Sequence, residues 1–143
     1  MSPGVEILLV EDSQDDIDLT LLALEKHRIA NHIHVVRDGA EALDFIFGGE
    51  AGTGAEVPKF ILLDLKLPKV DGLEVLRRLK ADARTQKVPV VMMTSSREER
   101  DVVESYRLGV NSYIVKPVDF AQFSEAVRQL GLYWLVLNHR PQG

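Results

Sequence analysis

Four places along this chain carry side chains that could do chemistry together: the acidic pair Glu11-Asp12, Asp64, the hydroxyl of Thr94, and Lys116 followed by Pro117. Three carboxylates brought close repel one another, so an ionised set of this kind calls for a cation among them. A divalent metal is therefore expected. Magnesium suits it, being held by one or two carboxylates while waters and a substrate phosphate fill the other octahedral positions. Asp12 and Asp64 can supply that pair. Glu11, one methylene longer, acts more readily through a water, and a backbone carbonyl just after Asp64 can add an oxygen. Lys116 sets a positive charge near Asp64 that favours its ionised form and can bind a phosphoryl oxygen; Thr94 offers a hydroxyl donor to the same group. Such a set equips a carboxylate to attack phosphorus, with Asp64 as nucleophile and an aspartyl phosphate as product.

Each of these residues closes or follows an apolar run. Ile7-Leu8-Leu9-Val10, Phe60-Ile61-Leu62-Leu63, Val90-Val91-Met92-Met93 and Tyr113-Ile114-Val115 lack polar alternation and read as strands buried on both faces. Parallel strands joined by crossover helices point one way, so residues at their carboxyl ends gather on one edge of the sheet. The strands are expected over Val5 to Val10, His32 to Val36, Phe60 to Asp64, from after Pro89 to Thr94, and Ser112 to Val115. A first helix runs from Ser13, with Asp16 completing a capping box, to about Arg28, with Ile17, Leu21, Leu22 and Leu24 on one face. Asp38 caps a second helix carrying Ala42, Leu43, Ile46 and Phe47, which Gly48 and Gly49 stop. Asp71-Gly72 releases a helix from Leu73 to Lys80. Arg97 to Leu108 is a charged, exposed helix closed by Gly109, and Asp119 caps a last helix from Phe120 onward. The order predicts an α/β fold: a doubly wound, five-stranded parallel sheet in a three-layer sandwich. Gly48 to Pro58 is a connector, because its glycines lack the Gly-Lys-Ser/Thr ending of a phosphate loop and precede a strand instead of a helix.

Taken singly, these residues have plainer roles. Asp12 could cap the next helix, Lys116 could be a solvated lysine and Thr94 a turn residue. Asp64 is followed too soon by Leu67-Pro68 to cap anything. Four matching types, each at the end of its own strand, point to a site. The histidines fall around a helix end, the second strand and the tail, and none is assigned to metal.

With 143 residues, 45% of them hydrophobic and 27% charged, the chain suits one domain, 1–138, and a tail, 139–143. A net charge of −5 without a Lys/Arg cluster argues against nucleic acid as a partner. The lack of cysteine excludes a disulfide framework, a thiolate zinc site and a cysteine nucleophile, and fits a cytoplasmic location. No apolar run approaches the ~20 residues needed to cross a bilayer. Within 131–138, Leu132 to Leu137 are all apolar, more than one helix face can bury. This extension of the last helix is expected to form a homodimer surface anchored by Tyr133 and Trp134, with Leu137 beside them.

These motifs make the chain resemble the response regulator receiver domains of bacterial two-component signalling, over essentially Val5 to Leu130. Glu11-Asp12 matches the acidic pair, Asp64 the phosphoacceptor, Pro68 and Gly72 the turn after it, Thr94 the switch hydroxyl, Lys116-Pro117 the lysine with its cis peptide bond, and Tyr113 the aromatic switch position. The resemblance implies that a histidine kinase donates the phosphoryl group, that Mg²⁺ is required, and that the protein catalyses its own phosphorylation and dephosphorylation instead of acting on external substrates. It implies that Lys66 lends its carbonyl to the metal while its side chain stays free, and that Ser95 and Ser96 influence dephosphorylation. Phosphorylation would draw Thr94 toward the phosphoryl group and turn Tyr113 inward, a population shift that changes protein contacts. The apolar end and the glycine-bearing connector are similar to small stand-alone regulators paired with phytochrome-type kinases. The alternative is an adaptor that keeps the receiver fold and works without phosphorylation.

Overall fold

The computed structural model describes residues 6–26, 33–48, 57–96, 99, 110 and 112–130. Five strands, β1 (Ile7–Val10), β2 (Ile33–Val36), β3 (Phe60–Asp64), β4 (Val90–Thr94) and β5 (Ser112–Val115), form one parallel sheet in the order β2-β1-β3-β4-β5. Four helices are described with them: α1 (Gln14–Lys26), α2 (Gly39–Phe47), α3 (Gly72–Ala81) and α4 (Phe120–Leu130). This is the doubly wound, flavodoxin-like α/β sandwich that the apolar runs implied.

The period of two along each strand divides the core. Ile7, Leu9, Phe60, Leu62, Val91, Met93 and Ile114 pack with Ile17 and Leu24 of α1 and with Phe123, Ala126 and Val127 of α4. Leu8, Val10, Ile61, Leu63, Val90 and Met92 face the other way, onto Ala42, Leu43 and Ile46 of α2 and Val75, Leu76 and Leu79 of α3. Full burial of each of the larger of these side chains (Val, Leu, Ile, Met or Phe) stabilises the fold by roughly 1.5–3 kcal/mol. The central strands β1, β3 and β4 are buried at every position. β5 is not: Ser112 and Ile114 are buried, but Tyr113 and Val115 are only half-buried, because this edge strand pairs with β4 alone.

Caps set the helix starts. Carboxylate oxygens of Asp38, Asp71 and Asp119 accept from the backbone N–H of Glu41 (2.7 Å), Glu74 (3.0 Å) and Gln122 (2.8 Å), each satisfying a donor that a helix leaves unpaired. α3 thus begins at Gly72, one residue before the expected Leu73. Only half of the expected box at α1 forms. Ser13 Oγ accepts from Asp16 N–H at 3.3 Å, but Ser13 N–H donates to Glu11 Oε2 at 3.2 Å and the Asp16 carboxylate points elsewhere. Leu22 also departs from expectation. At 62% exposed it lies off the buried face of Ile17 and Leu24, as the ~100° turn per residue from half-buried Leu21 requires.

The loop from β3 to α3 is gripped by backbone at two glycines. A Cβ on Gly72 would lie 2.3 Å from the Asp64 carbonyl oxygen, and one on Gly39 would lie 1.8 Å from that of Val70. Between them Lys69 has φ 68° while Val70 N–H donates to the Pro68 carbonyl at 2.8 Å, a tight γ-turn. The expected charged helix Arg97–Leu108, apart from Glu99, lies outside the described residues, as do most of the connector, the extension 131–138 with Tyr133, Trp134 and Leu137, and the tail. Among the described residues no helix is long and apolar enough to cross a membrane.

Candidate functional site

The strand order reverses direction at β1 and β3, and in open α/β sheets the crevice beyond the carboxyl ends of strands at such a point is where ligands bind. Register fills this crevice with the expected side chains. Val10 pairs with Leu63, so Glu11 follows level with Asp64; Thr94 ends β4 opposite Val115, so Lys116 comes next on β5. Carboxylate oxygens of Glu11, Asp12 and Asp64 lie within 4.8 Å of one another, with Glu11 and Asp64 buried and Asp12 exposed. The Lys116 ammonium sits 2.9 Å from Glu11 Oε1, 3.1 Å from Asp64 Oδ2 and 3.2 Å from Asp16 Oδ2. An open cleft lined by Asp12, Leu65, Leu67, Pro68 and Leu73 adjoins the acids.

The electrostatics are those of a site short of positive charge. Four carboxylates (Glu11, Asp12, Asp16 and Asp64) gather near one ammonium, so the fully ionised set would carry three excess negative charges. Burial pushes the Glu11 carboxyl up to about 7; Lys116 opposes the rise, and the charge of Asp64 reinforces it. Burial works against the charge of Lys116, but Glu11 and Asp64 outweigh it and hold the ammonium above the ordinary lysine range.

Among the described residues, two buried side-chain oxygens have no hydrogen bond. Glu11 Oε1 lies at ion-pair distance from Lys116 without hydrogen-bond alignment, and the hydroxyl of Thr94 has no partner. A buried hydroxyl with no partner, as at Thr94, costs roughly 1–3 kcal/mol, which a guest that bonds to it would recover. The donor set is all oxygen and strongly anionic, with one ammonium shared among three of its four carboxylates. It fits a hard divalent cation. The Thr94 donor suits an anion.

Lys66 departs from expectation. Its backbone N–H approaches Asp64 Oδ1 at 3.4 Å, but its side chain is not free: the ammonium pairs with Glu99 Oε2 at 2.8 Å. Tyr113 is half-buried at the edge of the cluster that covers the α2 and α3 face.

Asp16, Gln122 and Glu99 escaped the sequence reading. Asp16 lies one helical turn beyond Asp12, a spacing that could have shown it on the same side. The Gln122 amide pairs with strand β5 as a second peptide would: Oε1 accepts from Val115 N–H at 3.0 Å, and Nε2 donates to the carbonyls of Val115 (2.9 Å) and Pro117 (3.1 Å). It thereby braces the backbone on both sides of Lys116, whose bond to Pro117 is cis. In sequence, Asp119 and Gln122 have the spacing of a capping box, which conceals this use. Gln122→Ala is expected to lower stability by roughly 1–3 kcal/mol in urea titration, since three backbone groups lose their partners; Gln122→Glu, which keeps the acceptor and loses both donors, should fall between.

Comparison with known proteins agrees with this geometry. The family model described as response regulator receiver domain matches residues 7–128. The bacteriophytochrome response regulator AtBRR is 52% identical and superposes with a TM-score of 0.85, covering 93% of this chain and 96% of its own. Response regulator Rcp1 of Synechocystis sp. is 37% identical over 134 residues, 94% of this chain and 91% of its own; the structure of its Mn²⁺-bound form has a TM-score of 0.71 and covers 99% of both chains at 35% identity. The phosphorylated cyanobacterial phytochrome response regulator RcpA is 35% identical with a TM-score of 0.72, covering 97% of this chain and 98% of its own. With the acids, the hydroxyl and the lysine converging at the edge where the sequence put them, the chain belongs to the response regulator receiver domain family.

Proposed function

We propose that this protein is a phosphoacceptor of two-component signalling that takes a phosphoryl group onto Asp64 from the phosphohistidine of a histidine kinase. The contact of one ammonium, Lys116, with Asp64 and its acidic neighbours, beside an unpartnered Thr94 hydroxyl, carries the reading. An Asp64 carboxylate oxygen attacks phosphorus, the P–N bond to the donor imidazole breaks, and the imidazole nitrogen keeps the electron pair and takes up a proton. Negative charge spreads over the equatorial oxygens as this happens. Lys116 is in place to bind one of them and the Thr94 hydroxyl to donate to another. Glu11, Asp12 and Asp64, with the Lys66 carbonyl, would hold Mg²⁺, which when bound offsets the charge of the acids and the phosphoryl group.

Once Asp64 is modified, the Thr94 hydroxyl gains an anionic acceptor, and Tyr113 on the neighbouring strand is the residue through which that gain would reach the surface. The protein would signal by altered contacts with other proteins. Likeness to AtBRR, Rcp1 and RcpA supports a phytochrome-type kinase as donor and a stand-alone regulator as the whole protein. A cytoplasmic location follows from that partnership. The apolar extension with Tyr133, Trp134 and Leu137 is the proposed homodimer contact.

Incubation with Mg²⁺ and acetyl phosphate tests the central claim. Intact-mass analysis is expected to show one added phosphoryl group on the wild type and none on Asp64→Asn. An unlabelled wild type that still binds a kinase would favour the adaptor reading, and equal labelling of both proteins would move the acceptor elsewhere.

A further inference from the structure

Glu99 stands at the Thr94 side of the site with donors around it. Its Oε1 accepts from the Ser95 N–H at 2.7 Å, its Oε2 pairs with the Lys66 ammonium at 2.8 Å, and its own N–H donates to Ser96 Oγ at 3.3 Å. The ion pair with Lys66, then the Ser95 bond, hold its carboxyl below the usual range, and the charge of Lys116 adds to this. Glu99 thus lies within the field of the site.

These contacts are poorly placed to matter for stability. Lys66 is 75% exposed, and an ion pair with one partner so open is screened by solvent and adds little to stability. Their position is the telling feature. Ser95 directly follows Thr94, whose buried hydroxyl lacks a partner, and Lys66 lies two residues beyond Asp64, with its N–H already turned to that carboxylate. An anion extending from Asp64 toward Thr94 would meet a backbone N–H and an ammonium that are both engaged by a carboxylate.

We propose that Glu99 is an internal competitor for the phosphoryl group: its carboxylate occupies the Ser95 N–H and the Lys66 ammonium in the unmodified protein and has to release them when Asp64 is phosphorylated. The proposal rests on Asp64 being the phosphoacceptor. Glu99 is then a positioning residue that sets how readily the site takes an anionic donor. Phosphorylation breaks the link between the loop after β3 and the start of the segment after β4, so the same exchange signals that the site is filled. Removing the competitor should favour the modified form, because the phosphoryl group no longer displaces a charge-assisted bond before making its own.

The test compares wild type, Glu99→Gln and Glu99→Ala with Mg²⁺ and acetyl phosphate, following the phosphoryl group on Asp64 by intact mass. Glu99→Ala is expected to label roughly threefold to tenfold faster, the scale of one bond to a charged group net of its replacement by water. Glu99→Gln should lie between, since its amide oxygen can still accept from Ser95 N–H but no longer neutralises Lys66. The gain should shrink in high salt, which screens the freed ammonium. Melting temperatures are recorded alongside. A purely structural role lowers them and leaves labelling unchanged or slower, which overturns the proposal. Equal labelling of all three proteins removes Glu99 from the mechanism and leaves Asp64 as acceptor. No labelling of any of them defeats both readings together.

Discussion

Lys116→Met is expected to slow phosphorylation of Asp64 by roughly 100-fold or more, the scale of losing one fixed charge aimed at the developing oxyanion. The same change should alter stability. One ammonium, 15% exposed, touches three carboxylates, two of them buried, and without it Glu11 and Asp64 face each other with no cation between them. Removing one partner of a buried pair costs about 3–5 kcal/mol. A loss of about 2–3 kcal/mol is expected here, because Asp16 is partly solvated and Glu11 can relieve the repulsion by taking a proton. Added Mg²⁺ should restore more stability to the variant than it gives the wild type, and should not restore the labelling rate. Urea titration with and without Mg²⁺, beside acetyl phosphate labelling, separates the two effects. A variant that labels at the wild-type rate would remove Lys116 from the chemistry.

Without divalent metal, stability should fall as pH rises from about 4.5 to about 7. Glu11 is pushed from 4.5 up to about 7, so between those values the folded protein holds a proton that the unfolded chain has released. When the folded state binds more protons, the free energy of unfolding decreases with pH. The full contribution is present below 4.5 and gone above about 7, on the order of 3 kcal/mol for a shift of this size. Bound Mg²⁺ should cancel the slope by stabilising the ionised carboxylate, and its affinity should weaken below pH 7 as protons compete for Glu11. Denaturant titrations from pH 5 to pH 8, in EDTA and in saturating Mg²⁺, would measure both. Glu11→Gln should flatten the metal-free profile over this window, and a wild-type profile already flat in EDTA would contradict the account.

The sheet and the heart of the site were readable because both rest on strong patterns. Unbroken apolar runs mark central strands, and a charged or hydroxyl residue at the end of such a run has one place to go, the shared edge. Glu11, Asp12, Asp64, Thr94 and Lys116 all emerged from that. The residues that escaped depend on pairings between distant segments. Asp16 looks like a capping residue until Lys116, 100 residues later, is set against it. Gln122 resembles a cap for the same reason, and the Lys66 side chain seemed idle because nothing local announces Glu99. The half-burial of Tyr113 was hidden too: an apolar run does not reveal which strand ends up at the margin of a sheet. Leu22 was an error of angle, grouped with Leu21 although neighbouring helical positions point about 100° apart.

The two glycines that clamp the loop after β3 make the crevice lopsided. On the Asp64 side glycine lies against main chain at two points, with no space for a methyl group. Across from it, Glu99, which accepts from the Ser95 N–H, is tied to Lys66 by a solvated ion pair that can part and re-form. One wall is a fixed jaw and the other a movable one. A change of charge at the aspartate would therefore meet less resistance beyond the ends of β4 and β5, where Glu99 and Lys116 are held by ion pairs, than in the clamped loop, so where this chain keeps its smallest residues biases which side can yield.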